Sequence, residues 1–136
     1  MRWGELRDDA EKRLAALCLS LPEVHEQALP WGRHWRVRKN HFCQIWTLDS
    51  ARIAKWTKVP PAAGDDEGGM MIFRSQPPEL DVLAHMGPPF FRPGWGARVI
   101  CMLLDEATDW DEVEELVLDS YCIQAPQKLA KLVKRA

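Results

Sequence analysis

The chain lacks any apolar run near the roughly 20 residues that a membrane-spanning helix requires; stretches such as VICMLL at 99–104 reach only six residues. Its start, MRWGELRDDAEKR, mixes acids and bases without the apolar core of a secretory signal, so the expected compartment is the cytoplasm. Four cysteines are present, Cys18, Cys43, Cys101 and Cys122, but none forms a C-x-x-C pair, which removes the usual zinc and dithiol spacings. His25, His34, His41 and His85 show neither H-x-x-x-H nor H-E-x-x-H spacing. Glycine is sparse, and no G-x-G-x-x-G or phosphate-loop pattern occurs. No serine sits in a G-x-S-x-G elbow. These absences lead to the expectation of no metal, no cofactor and no enzymatic activity.

What is present describes a folded domain. The 136 residues are 46% hydrophobic and 28% charged, enough for one core and too apolar for a disordered chain. The four cysteines all lie in apolar surroundings (ALCLS, HFCQIW, VICMLL, SYCIQ), as expected of buried thiols. The formal charge is only −2, yet it is unevenly spread. Between Arg33 and Lys58 there are seven bases and one acid, Asp49, whereas Asp105 to Asp119 holds eight acids and no base. Beyond Asp119 the charges are Lys128, Lys131, Lys134 and Arg135.

Periodicity gives the elements. Leu6, Ala10, Leu14, Leu17, Cys18 and Leu21 recur at helical steps, and Pro22 ends that helix. Val24–Ala28 reads as a strand. His34–Val37 and Phe42–Leu48 then read as a hairpin with Lys39-Asn40 at its tip, where Asn tolerates a positive φ. Asp49 is placed to cap a short helix through Trp56, and PPAAGDDEGG continues as a loop to Gly69. Met70–Phe73 is a strand. Pro77-Pro78 opens a helix carrying Leu80, Leu83 and Ala84, and Gly87 closes it. PPFFRPGWG reads as an irregular aromatic loop, and Val99–Leu104 as a buried strand. Thr108 or Asp109 caps a helix whose inner stripe is Trp110, Val113, Leu116, Val117, Ser120 and Tyr121. After Pro126 a short basic helix runs from Gln127 to Val133. The expected fold is a single α+β domain over 1–136, with a largely antiparallel sheet and N- and C-terminal helices packed on it.

Several of these strings resemble one family. LPEVHE…WGRHWRVRKNHF, then FF-x-P followed by GW, then DWDEVEELVLDSY and AP-x-K-L are similar to the MmcQ/YjbR family of small bacterial proteins. The resemblance runs from about Leu14 to Leu132 and is poorest over 48–69. It implies a CyaY/YjbR-like, double-wing α+β fold and the family's usual label, DNA-binding. It carries over no catalytic residues.

Two candidate sites follow. The first is the basic hairpin, with Arg33, Arg36, Arg38 and Lys39, joined by Arg52, Lys55 and Lys58. Basic side chains would neutralise phosphates there, with Trp31 or Trp35 stacking on bases. Strand alternation alone gives another account, with Trp35, Val37 and Phe42 inward and Arg36, Arg38 and Lys39 in water. The second is a pocket or partner surface formed by Phe90, Phe91 and Trp95 around Pro88, Pro89 and Pro93, with Trp31. Such a cluster also closes a core. The expected function is a non-enzymatic, monomeric binding module with DNA as partner and no membrane contact. The alternative is a protein-interaction or small-ligand domain that uses the Phe90–Trp95 loop.

Overall fold

The computed structural model describes residues 3–49 and 67–133. Helix α1 (Trp3–Leu19) is followed by β1 (Val24–Leu29), β2 (Gly32–Val37), β3 (Asn40–Asp49) and β4 (Glu67–Arg74). Then come α2 (Glu79–Met86), β5 (Phe90–Phe91), β6 (Val99–Leu104), α3 (Trp110–Gln124) and α4 (Gln127–Ala130). The strands form one antiparallel sheet in the order β1-β2-β3-β4-β6-β5. The chain is thus the α+β domain that its periodicity predicts.

Helices α1 and α3 pack on one face of the sheet and bury the main core. Helix α1 contributes Ala10, Leu14 and Cys18, each on the stripe that its three- and four-residue spacing defines. At the start of α3 the Asp109 carboxylate accepts the amides of Asp111 and Glu112, at 3.0 and 3.3 Å. That helix turns Val113, Leu116, Val117, Ser120 and Tyr121 inward. Trp110 is only half-buried and lies under the Arg13 guanidinium, 5.1 Å from it. The run Val99–Leu104 is buried throughout because its two faces meet two apolar layers. Ile100, Met102 and Leu104 join the helix-side core. Val99, Cys101 and Leu103 join a second cluster with Met70 and Ile72, against which Trp46 and Phe91 pack.

A bulge decides what the third strand shows to each face. Trp35 pairs with Cys43, but the next residue, Arg36, pairs with His41, so Phe42 is the extra residue. Regular pairing would set Phe42 beside Arg36 on the outer face and turn His41 inward. The bulge reverses this. Phe42 enters the core, edge-on to Tyr121 with ring centroids 5.2 Å apart, and His41 goes to the face away from the helices. Gly32 permits a close approach across the same strand pair, since a Cβ there would run into the Ile45 carbonyl oxygen.

Several sequence-based boundaries need correction. The hairpin tip is Arg38–Lys39, because Val37 pairs with Asn40, and the positive φ of 57° belongs to Arg38. Asn40 instead donates its side-chain amide to the Gln124 carbonyl at 3.0 Å, where α3 ends. Strand β4 begins at Glu67, three residues before Met70. Phe90–Phe91, expected in an irregular loop, forms β5 against Met102 and Cys101. The last helix stops at Ala130. Asp49 ends β3; the helix expected after it, through Trp56, lies outside the described residues.

Candidate functional site

The basic hairpin divides into residues that hold the fold and residues that face water. Arg33 reaches toward α1, where its Nε donates to Glu11 Oε1 at 2.6 Å and its Nη1 to Glu26 Oε2 at 3.1 Å. The bond to Glu11 is the main cause of its raised pKa. Glu26 also accepts from the Trp35 indole at 2.9 Å, so Arg33 belongs to a bracket between α1, β1 and β2. Arg38 is held by both oxygens of Glu23, at 3.0 and 3.2 Å. Arg36 and Lys39 are exposed and form no ion pair among the described residues. Arg52, Lys55 and Lys58 lie outside the described residues.

The aromatic cluster divides too. Phe90 is part of the helix-side core, while Phe91 faces the opposite way. Trp95 is 47% exposed, and its ring lies 5.0 Å from that of Trp46 at an angle of 35°. Phe91, Arg92, Pro93 and Trp95 line a notch of about 210 Å³. Trp31, half exposed in the β1–β2 turn, accepts the Thr47 amide on its carbonyl at 2.7 Å.

The structure therefore brings Arg36, Phe91 and Trp95 together on one surface, the sheet face away from α1 and α3. The residues that complete this surface were not singled out in the sequence. Along β1 it carries His25 and Gln27; along β2, His34 and Arg36; along β3, His41, Gln44 and Trp46; and at the end of β4, Arg74. His34 and His41 stack with ring centroids 4.3 Å apart, and His34 Nε2 lies 2.8 Å from the Gln27 side-chain oxygen. Burial holds the His34 pKa below the usual imidazole value, with the Arg36 charge adding to it. The His41 value is lowered by burial, then by His34, Arg36 and Arg74. No described acidic side chain acts on either imidazole.

Several acids lie on the helix side of the sheet. Glu11, Glu23 and Glu26 are engaged by arginines, and Asp111, Glu114 and Glu115 are exposed on α3, in the helix layer. The face away from the helices thus gathers Arg36, Arg74 and three imidazoles, whereas the helix side mixes carboxylates with arginines that engage them. His34 and Arg36 share a face by simple alternation, a signal visible in GRHWRV. His41 has no such signal, because the bulge sets its direction.

The thiols stand apart from this chemistry. Cys18, Cys43 and Cys101 are buried and Cys122 is half-buried. Burial pushes the Cys101 thiol up to about 12 and the Cys18 thiol well above its ordinary value, so neither is ionised near neutrality. Behind the sheet, a polar cleft of about 480 Å³ opens between the β4–α2 connection and α3, with Arg98, Asp119 and Cys122 on its walls.

Comparison with known proteins adds the family. The YjbR family model matches residues 19–123, which span every strand and nearly all of α3. The chain belongs to the YjbR family. The YjbR match contains the whole cationic face, whereas Glu11 on α1 falls outside it. A crystal structure of a protein from Pseudomonas syringae is similar in fold, with a TM-score of 0.59. The two chains share 16% identity over 91% of this chain and 99% of the other, so the likeness concerns the fold. No curated protein matches the sequence.

Proposed function

We propose that this YjbR-family chain is a non-enzymatic cytoplasmic binding module that holds nucleic acid on the β1–β3 part of the sheet face away from α1 and α3. The observation that carries this reading is the contiguous set of Arg36, His34, His41 and Arg74, with no described carboxylate acting on the imidazoles. Such a surface neutralises phosphates and disperses the counterions around them, while Gln27 and Gln44 supply amide groups beside it. The hairpin contributes Arg36 and Lys39 to this reading, since Arg33 and Arg38 are engaged by glutamates. The aromatic loop contributes Trp95 to the same surface, so the two sites expected separately act as one. The non-enzymatic reading is supported by the buried, un-ionised state of the Cys18 and Cys101 thiols.

Fluorescence anisotropy with labelled oligonucleotides at increasing salt tests the reading. Affinity should fall linearly on a log–log plot. Three cationic contacts, from Arg36, Lys39 and Arg74, give a slope of about −2 on a single strand and about −3 on a duplex. Arg36→Ala combined with Arg74→Ala should make the slope shallower by about 1.5. Absence of binding at low salt to single strands, duplexes and RNA alike would end the proposal.

A further inference from the structure

The face away from α1 and α3 also carries aromatic surface that phosphate binding does not require. Trp95 presents nearly half of its area to solvent beside a notch of about 210 Å³ that it lines with Phe91, Arg92 and Pro93. Trp46 braces it from the sheet, 5.0 Å away between ring centroids, and is itself oriented by donating its indole N–H to Gln44 Oε1 at 2.9 Å. Arg74 joins this aromatic end to the cationic row. Its charge acts on His41, and a Cβ built on Gly96, the neighbour of Trp95, would lie 4.0 Å from its Nη1. His34, His41 and Arg36 thus lie on β2 and β3, with Trp46 farther along β3; Arg74 at the end of β4 links them to the Trp95 loop, while Met70 and Ile72 on the same face of β4 are buried.

A duplex makes poor use of such a surface. Its grooves are read by an element that protrudes into them, and its bases are already stacked on one another. Among the described residues the basic hairpin tip is Arg38–Lys39, and Arg38 is held by Glu23. A single strand offers what a duplex withholds: an open π-face on every base and a backbone flexible enough to follow a sheet surface. Resting on the nucleic-acid reading above, we infer that the ligand is single-stranded. One base occupies the Phe91–Arg92–Pro93–Trp95 notch against the Trp95 ring. The adjoining phosphates run along Arg74, His41, His34 and Arg36.

The test compares a fluorescein-labelled oligothymidine with a blunt duplex of the same length, binding to the full chain in one low-salt buffer. The single strand should bind at least roughly tenfold more tightly. Trp95→Ala should weaken single-strand binding by roughly 5- to 150-fold, with little effect on duplex binding. Trp95→Phe keeps a stacking ring and should restore most of the loss, which separates stacking from a merely structural role. Thermal unfolding of each variant controls for folding. Equal or tighter binding of the duplex, or an unchanged affinity in Trp95→Ala, overturns this inference and leaves the nucleic-acid reading standing. Failure of both probes to bind, with RNA unbound as well, removes the reading and the inference together.

Discussion

His41 stacks on His34 because one extra residue, Phe42, is absorbed into the strand between Cys43 and His41. The bulge places an aromatic ring in the core and an imidazole on the opposite face in one step. Two imidazoles within 4.3 Å, beside Arg36 and Arg74, resist protonation in the free protein. Both pKa values lie below the ordinary 6.5, and that direction fixes the sign of two pH effects.

The first effect is on stability. The unfolded chain takes up these protons at the ordinary imidazole value, before the folded chain does. Stability should therefore be complete above about pH 6.5 and decline as the pH falls below it, until the folded-state values are passed. Urea denaturation between about pH 7.5 and about pH 5.5 should show this decline, above the range where most carboxylates titrate. His34→Gln with His41→Gln should flatten that part of the profile. An unchanged slope in the double variant would show that other groups cause the decline.

The second effect is on binding, with the opposite sense. A phosphate on this face favours the protonated imidazoles, so the complex takes up protons and affinity rises as the pH falls from the bound-state imidazole values toward the lowered values of the free protein. The salt slope on a single strand should steepen from about −2 toward about −3.5 as two further cations engage. Isothermal titration in buffers of different ionisation enthalpy counts the protons directly, and zero uptake would exclude the imidazoles from the interface.

Two arginines three residues apart should separate cleanly. Arg33→Ala removes the bonds to Glu11 and Glu26 and should cost about 1–2 kcal/mol of stability, with oligonucleotide affinity retained. Arg36→Ala, at an exposed position without a described ion pair, should change stability by less than about 0.5 kcal/mol and weaken binding. Denaturation and anisotropy on the same two variants check both halves.

Ser120 ties the helix layer to the site from behind. Its hydroxyl donates to the Phe42 carbonyl at the bulge and accepts the Arg74 amide at 2.8 Å, at the end of β4. Ser120→Ala leaves both backbone groups short of a partner and should cost about 2–4 kcal/mol. The corresponding fall in Tm is roughly 5–15 °C for a domain of this size. A fall of less than about 2 °C would mean that other groups satisfy those atoms.

The elements were more legible than the site. The stripe Ala10, Leu14, Cys18 and the cap at Asp109 follow from local periodicity and local hydrogen bonding, which a sequence states directly. Trp35 and Val37 inward with Arg36 outward follows from strand alternation. The hairpin tip was harder, because Asn40 suits a turn by itself and is instead drawn to the Gln124 carbonyl, a contact from a distant part of the chain. The two-residue β5 is too short to show a period, and only its pairing with β6 makes it a strand. The site depends most on tertiary geometry. Arg33 looked as available as Arg36 until Glu11 was brought across the sheet to it, and His41 lies on the functional face only through a one-residue shift in register.

The most direct test of the central claim is a two-dimensional amide NMR titration of the full chain with a short oligothymidine. The account predicts that the shifts concentrate on His25, His34, Arg36, His41, Gln44, Arg74 and the 91–96 segment, leaving the exposed face of α3 around Glu114 and Glu115 unmoved. Shifts confined to the helix layer, or to the cleft around Arg98 and Cys122, would contradict it.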